Sequence, residues 1–124
     1  MKKAFTLTEL LVVVILVGIL ASLAIPKFAA STDRAMESEA KIALSQVQEL
    51  QRVYFLEHKT YTLLMDHLGF EQEKTVVEDP EKGTARYRIK LEKADADMFL
   101  AVAEPVVEGP RTYEITHEGK PRVR

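Results

Sequence analysis

The chain has 124 residues, which is enough for one small domain. It carries 17 basic and 19 acidic side chains and has a net charge of −2. It contains no cysteine, so no disulfide can form. Three of the basic residues and one of the acids precede residue 28, so the rest of the chain carries 14 basic and 18 acidic residues, a net charge of −4. This balance gives no strong signal for nucleic-acid binding, which needs clustered lysine and arginine.

The first predicted element is a membrane-spanning helix. No charged residue occurs from Leu10 to Ile25, and adding the residues from Phe5 gives a segment that can cross a bilayer, which takes about 20 residues. A cleaved secretion signal has a shorter apolar core of about 7–15 residues. Lys2 and Lys3 precede the segment, which predicts a cytoplasmic N-terminus with the remainder of the chain outside. The pattern therefore favours a retained anchor over a discarded signal.

A carboxylate, Glu9, lies near the start of this apolar segment. Ionisable side chains are costly inside a membrane and mark a functional site by default. Glu9 is also close enough to the cytoplasmic end to lie at the level of the lipid headgroups, where it needs no special role. The residues alone leave both interpretations open.

The order of residues in this segment resembles the N-terminus of type IV pilins and the related secretion pseudopilins. Ala4 and Phe5 precede Glu9, and Pro26 follows the unbroken apolar run. The resemblance implies that a prepilin peptidase removes a leader of residues 1–4 by cutting between Ala4 and Phe5. The same enzyme then methylates the new amino group of Phe5, and the apolar segment stays in the mature protein. The family usually has glycine before the cut, where this chain has Ala4.

The resemblance also implies roles in assembly for three residues. Glu9 would attract the methylated amino terminus of a neighbouring subunit. Gly18 and Pro26 both weaken a helix, and the stretch Ile19–Ile25 between them is predicted to unwind when the filament assembles. A simple kink at Pro26 is the alternative. Residues 5–27 are therefore predicted to be the transmembrane and assembly helix.

An amphipathic helix is predicted over residues 28–57. Apolar side chains recur there at alternating steps of four and three, which places them on one face of a helix. The predicted buried face consists of Met36, Ala40, Ala43, Val47, Leu50 and Tyr54. The predicted polar complement consists of Asp33, Glu37, Glu39, Lys41, Gln48 and Arg52.

The rest of a globular head at 28–124 is predicted to be a connector over residues 58–84, an antiparallel meander over residues 85–118 and a tail over residues 119–124. Within the meander, three strand-like runs are separated by turn residues. We therefore predict an α+β fold with a long N-terminal helix packed on a small three-stranded antiparallel sheet. The other face of the sheet is expected to be exposed to solvent.

No constellation of catalytic residues is visible in the sequence. His58, His67 and His117 do not have the spacing of metal ligands. Asp95 and Asp97 lack the other ligands of a calcium loop and are better interpreted as a hairpin turn. We predict no catalytic residue, no metal site and no cofactor, and the chain is not expected to be an enzyme.

The resemblance implies a structural subunit of a type IV pilus-like filament that serves motility, adhesion or DNA uptake. Its expected partners are further copies in a helical filament, the prepilin peptidase, the pilus or secretion assembly machinery, and the membrane. The precursor is expected in the inner membrane, and the filament in the periplasm or outside the cell. The alternatives are a type II secretion pseudopilin and a bitopic membrane binding protein that does not assemble.

Overall fold

The structure is a computed structural model that describes residues 2–124. Its helices are α1 (Leu7–His58) and α2 (Met65–Leu68). Its strands are β1 (Tyr87–Ala94), β2 (Phe99–Pro105), β3 (Tyr113–Thr116) and β4 (Arg122–Val123). The chain divides into two compact units, one ending at Asp33 and one beginning at Arg34. The predicted α+β fold, a long N-terminal helix with an antiparallel sheet, is confirmed.

The sheet has four strands, not the three that were predicted. Its order is β1-β2-β3-β4, and each neighbouring pair is antiparallel. The additional strand β4 lies in the predicted tail, which Gly119 turns back with a φ of 85° that glycine adopts without strain. Arg122 then donates from Nε to Glu114 Oε1 on β3 at 2.8 Å. A two-residue strand is too short to show an alternating pattern, so the sequence carries no signal for it.

The hydrophobic core of the second unit lies between α1 and one face of the sheet. Ala40, Leu44 and Val47 of α1 are fully buried and cluster with Phe99 and Ile115 of the sheet. The predicted buried face of the helix is confirmed. Two of its six residues are fully buried, and the other four pack against the core as partly buried side chains.

Two glutamine side chains of α1 bond to the backbone of later segments. Gln51 is fully buried, and its Nε2 donates to the Thr62 carbonyl at 2.6 Å. The Thr62 amide donates back to Gln51 Oε1 at 3.1 Å. One turn earlier, Gln48 Nε2 donates to the Thr116 carbonyl of β3 at 2.9 Å. These bonds satisfy polar groups that would be costly to bury alone and fix the connector and the sheet against the helix.

The connector contains a compact loop over residues 75–84. The Thr75 amide and hydroxyl both donate to Glu78 Oε2, each at 3.0 Å. The Gly83 amide donates to the Asp79 carbonyl at 2.7 Å, which closes the loop. A Cβ atom at position 83 would lie 2.2 Å from the Thr75 carbonyl oxygen and 2.6 Å from that of Asp79. Only glycine fits there, because both neighbours are backbone atoms.

Replacing Gly83 with Ala is expected to lower the free energy of unfolding of the second unit by about 1–2 kcal/mol, since the loop backbone must move to admit the methyl group. The tyrosine bands of the near-ultraviolet circular dichroism spectrum of the detergent-solubilised chain report on this unit alone. The chain has four tyrosines, and they all lie between Tyr54 and Tyr113. Glu81→Ala, at an exposed position of the same loop, is the matched control and should leave the unfolding midpoint unchanged. Equal midpoints for the two variants would show that the loop accepts the methyl group at no cost.

Candidate assembly site

Helix α1 begins with a capping box formed by Thr6 and Glu9. The amide and the hydroxyl of Thr6 both donate to Glu9 Oε2, at 2.8 and 2.9 Å. The Glu9 amide donates back to Thr6 Oγ1 at 3.2 Å. This reciprocal arrangement satisfies N–H groups that the first turn of a helix leaves without partners. The role was not predicted, although Thr-x-x-Glu before an apolar run is its sequence signature.

The predicted cleavage site lies directly before this cap. Residues 2–6 are not helical, and the bond between Ala4 and Phe5 falls among them. The Phe5 side chain is 85% exposed. Exposed, non-helical chain near a terminus is where proteolysis is favoured, so the local structure suits cleavage there. The predicted leader also includes Met1, which lies outside the described residues.

The first part of α1 presents apolar side chains on all sides. The large apolar residues from Leu10 to Ile25 are each between 48% and 68% exposed. Among the described residues, α1 is the helix that is long and apolar enough to cross a membrane. A helix that is hydrophobic all round needs an apolar environment, which a bilayer or a bundle of similar helices supplies.

Gly18 and Pro26 lie within α1 and do not interrupt it. Pro26 has no amide hydrogen, so the Ser22 carbonyl lacks its usual helical donor. The Ser22 hydroxyl donates to the Ile19 carbonyl at 2.7 Å. A Cβ atom at Gly18 would meet nothing within 4 Å, so this face of the helix is open. The stretch between the two residues is helical in the isolated chain, and its unwinding on assembly stays a prediction.

In the second unit, a buried carboxylate joins α1 to the end of the β2–β3 loop. Glu37 is only 7% exposed. Arg111 donates from Nε to Glu37 Oε1 at 2.9 Å and from Nη2 to Oε2 at 3.0 Å. The Tyr113 hydroxyl also donates to Oε2 at 2.9 Å. The prediction that Glu37 belongs to the polar, solvent-facing side of the helix was wrong, because partners 74 and 76 residues away in the sequence enclose it.

The charges in this cluster stabilise one another. Hydrogen bonds from Arg111, and then from Tyr113, lower the pKa of Glu37 from 4.5 to about 2. Burial, together with the nearby Glu37 charge, raises the pKa of Tyr87 to about 12. The Tyr87 hydroxyl donates to the Arg111 carbonyl at 2.8 Å, which holds that residue in place. The cluster therefore keeps one ionisation state over the ordinary pH range.

The three histidines lie against tyrosine rings. His58 stacks on Tyr54 with ring centroids 4.1 Å apart, and His67 also stacks on the Tyr54 ring, with centroids 6.0 Å apart. His117 lies 6.2 Å from the Tyr61 ring. Within residues 2–124, no group of three or more histidine, aspartate or glutamate side chains is placed to hold a metal ion. The histidines thus contribute aromatic packing in these arrangements.

Asp95 forms the turn between β1 and β2. Its Oδ1 accepts from the amides of Asp97 at 2.9 Å and Met98 at 2.8 Å. The Asp95 amide donates to the Met98 carbonyl at 2.9 Å, which closes the hairpin. The interpretation of this segment as a hairpin turn is confirmed.

Comparison with known proteins places the N-terminal geometry in context. Residues 1–25 match the family model described as the prokaryotic N-terminal methylation motif. Over 106 residues the chain is 34% identical to the type IV major pilin protein PilA of Myxococcus xanthus, which covers 85% of this chain and 44% of that protein. The chain belongs to the type IV pilin family. The resemblance inferred from its sequence is confirmed.

Other pilins match about half of the chain. The chain is 40% identical over 58 residues to the type IV major pilin protein PilE of Neisseria gonorrhoeae, covering 47% of this chain and 35% of that protein. It is 35% identical over 60 residues to the type IV wide pilus major component PilA4 of Thermus thermophilus, covering 48% of this chain and 46% of that protein. The chain thus spans less than half the length of the pilins it matches. The methylation-motif match includes Ala4, Phe5, Glu9 and Gly18 and ends one residue before Pro26.

Proposed function

We propose that this pilin is a structural subunit of a type IV pilus-like filament, drawn from the inner membrane through its N-terminal helix. The observation that carries the proposal is the methylation motif at residues 1–25, which opens directly into an exposed apolar helix. A surface of that kind is buried once in the bilayer and again among the helices of other copies. The chain acts through this surface and does not act as an enzyme.

Processing would convert the precursor into the assembling form. The prepilin peptidase removes residues 1–4 by cutting between Ala4 and Phe5, and it methylates the amino group of Phe5. Residues 5–27 form the transmembrane and assembly helix, and residues 28–124 form the globular head. The precursor spans the membrane once with a cytoplasmic N-terminus, because Lys2 and Lys3 precede the apolar segment.

Glu9 would supply the charge that the processed terminus needs. Cleavage creates a cationic amine at Phe5, and such a charge is strongly destabilised in a low-dielectric bundle unless an opposite charge is near. In the isolated chain, hydrogen bonds from Thr6 hold the Glu9 carboxylate. The carboxylate is therefore already oriented at the start of the helix. In the filament it accepts the methylated amine of a neighbouring copy.

Gly18 and Pro26 would let the helix change shape during assembly. Pro26 cannot donate a helical hydrogen bond to the Ser22 carbonyl, and Gly18 lowers the stability of the helix around it. We propose that Ile19–Ile25 unwinds in the filament. A density map of the filament that shows continuous helix through these residues would exclude unwinding and leave the kink at Pro26.

The filament would serve motility, adhesion or DNA uptake through the assembly machinery of the cell. The names of the relatives support a pilin, since the proteins matched are major pilins and the major component of a wide pilus. Export of proteins by a short type II secretion filament is not favoured by these matches.

Mass spectrometry of the purified protein tests the proposal. We expect the mature chain to begin at Phe5 and to carry one added methyl group on its amino terminus. Filaments that contain this chain should be visible by electron microscopy after shearing from cells. A chain that keeps Met1 and remains in the membrane fraction would instead support a bitopic binding protein that does not assemble.

A further inference from the structure

Strand β1 lies at one edge of the sheet, and a side chain bonds the backbone along its outer side. Gln72 Nε2 donates to the Tyr87 carbonyl at 2.7 Å, and the Ile89 amide donates to Gln72 Oε1 at 3.3 Å. A neighbouring strand would bond such backbone groups, which an edge strand otherwise leaves unpaired. The side-chain amide of Gln72 therefore occupies a position that the backbone of an added strand could take.

An open groove of about 630 Å³ lies beside this edge. Helix α1 forms one wall, and the connector forms the other. Ile42 lies in the groove and is 69% exposed, although its side chain is large and apolar. Further apolar residues of the lining are Ala43, Phe70, Ala85 and Ile89. An apolar groove beside the edge of a sheet fits an extended peptide, whose backbone bonds the edge while alternate side chains enter the groove.

The charges along the groove favour a basic partner. Among the described residues that line it, the charged side chains are Glu39, Glu71 and Glu73, with no lysine or arginine. Arg86 partly offsets the charge of Glu39, since its Nη1 lies 3.9 Å from Glu39 Oε2. Glu71 and Glu73 therefore supply the net negative charge of the groove. A negative surface attracts a cationic segment and disfavours an anionic one.

We propose that this groove binds an extended segment of another protein in which basic and apolar residues alternate. The segment adds to β1 as a fifth strand and displaces the Gln72 amide from the edge. Successive side chains of a strand point to opposite sides. The apolar side chains on one side of the segment then face α1, and the basic ones on the other reach Glu71 and Glu73. Peptide bonds replace the bonds to Gln72, so no backbone group of β1 is left unpaired.

The occupant is assigned to another protein because the matching segments of this chain are already in use. Basic and apolar residues alternate at residues 88–91 and 122–124. The first segment belongs to β1, which pairs with β2, and the second contains β4, which pairs with β3. The groove also lies entirely within the second unit, so its occupation does not need the apolar helix that filament assembly uses. The inference is therefore independent of the proposed function.

Fluorescent peptides of about eight residues, within the usual range of strand lengths, test the site on the full chain in a nonionic detergent. One peptide alternates lysine with valine, and its matched control alternates glutamate with valine. Fluorescence anisotropy measures binding. We expect saturable binding of the lysine–valine peptide and at least about tenfold weaker binding of the glutamate–valine peptide. Glu71→Lys should weaken binding of the first peptide, whereas Glu118→Lys, the same change at an exposed position outside the groove, should not.

Gln72→Ala tests whether the peptide displaces the side-chain amide. Gln72 competes for the edge, so its removal should tighten binding of the lysine–valine peptide by about threefold or more. Gln46→Ala is the matched control, because Gln46 lines the same groove from α1, and it should not tighten binding. Hydrogen exchange of the Ile89 amide reports the added strand directly. In Gln72→Ala we expect this exchange to become at least about tenfold slower when the peptide is bound.

Several outcomes would overturn the inference. Equal affinity for the two peptides, or binding that leaves exchange of the Ile89 amide unchanged, would exclude strand addition at this groove. No saturable binding to Gln72→Ala at about 1 mM peptide would exclude it as well. Protection of the Ile89 amide that rises with protein concentration in the absence of peptide would assign the groove to a second copy of the chain. None of these measurements needs filaments, so a failure here would leave the proposed function standing.

Discussion

Replacing Glu9 with Leu is expected to abolish filaments while the chain remains folded and inserted in the membrane. The amine created at Phe5 would lose its counter-charge inside an apolar bundle. Leaving a buried charge unpaired costs about 3–5 kcal/mol, which weakens the addition of each subunit by at least about a hundredfold. The measurement is the amount of the chain in the sheared filament fraction relative to the membrane fraction.

Two further variants separate the charge of Glu9 from its place in the capping box. Thr6→Ala removes the hydroxyl of the box but keeps the carboxylate, and losing such a cap costs only about 1 kcal/mol. We therefore expect Thr6→Ala to form filaments. Glu9→Gln keeps the size of the side chain without its charge and should fail as Glu9→Leu does. Normal filament yield from Glu9→Leu, or equal failure of Thr6→Ala, would contradict the proposed role of the charge.

Replacing Glu37 with Ala is expected to destabilise the head by about 2–3 kcal/mol. The change leaves Arg111 without its carboxylate and the buried Tyr113 hydroxyl without its acceptor. The cost is below that of a fully buried ion pair, because the Arg111 side chain is 61% exposed. Denaturant unfolding followed by tyrosine circular dichroism measures it. Glu118→Ala, whose side chain is 85% exposed, should leave the midpoint unchanged.

The same carboxylate predicts how the stability of the head depends on pH. The folded state lowers the pKa of Glu37 from 4.5 to about 2. Because folding favours the charged form, the unfolded chain binds the proton more readily, and stability falls as the pH is lowered. The contribution of Glu37 is present in full above about pH 4.5 and is lost as the pH approaches about 2. Glu37→Gln should flatten this part of the stability profile, and an unchanged profile in that variant would assign the dependence to other acids.

The sequence was sufficient for features that depend on local pattern. The apolar run and the spacing of Phe5, Glu9 and Pro26 carried the resemblance to the pilin family, and the paired lysines predicted the orientation in the membrane. The alternating steps of four and three predicted which face of α1 meets the sheet. These signals are strong because a helix places residues three and four apart on one side, whatever the rest of the chain does.

Features that depend on distant contacts could not be predicted in this way. Glu37 was predicted to lie on the polar side of the helix because a single glutamate on a helix is usually exposed. Its burial depends on Arg111 and Tyr113, which the fold brings together across more than 70 residues. Gln51 is buried for a similar reason, since the Thr62 backbone supplies both of its bonds. The strand β4 was missed because pairing with β3, and not its own two residues, defines it.

The side-chain bonds from α1 to the rest of the head have a mechanical consequence. The helix side chains that form them are Glu37, Gln48 and Gln51, so the bonds are distributed over about four turns. A pull directed along the helix axis loads all of them at once, together with the packed core between them. A pull that peels the sheet from one end would break them one after another. A head attached in this way resists tension along its own helix better than force applied from the side.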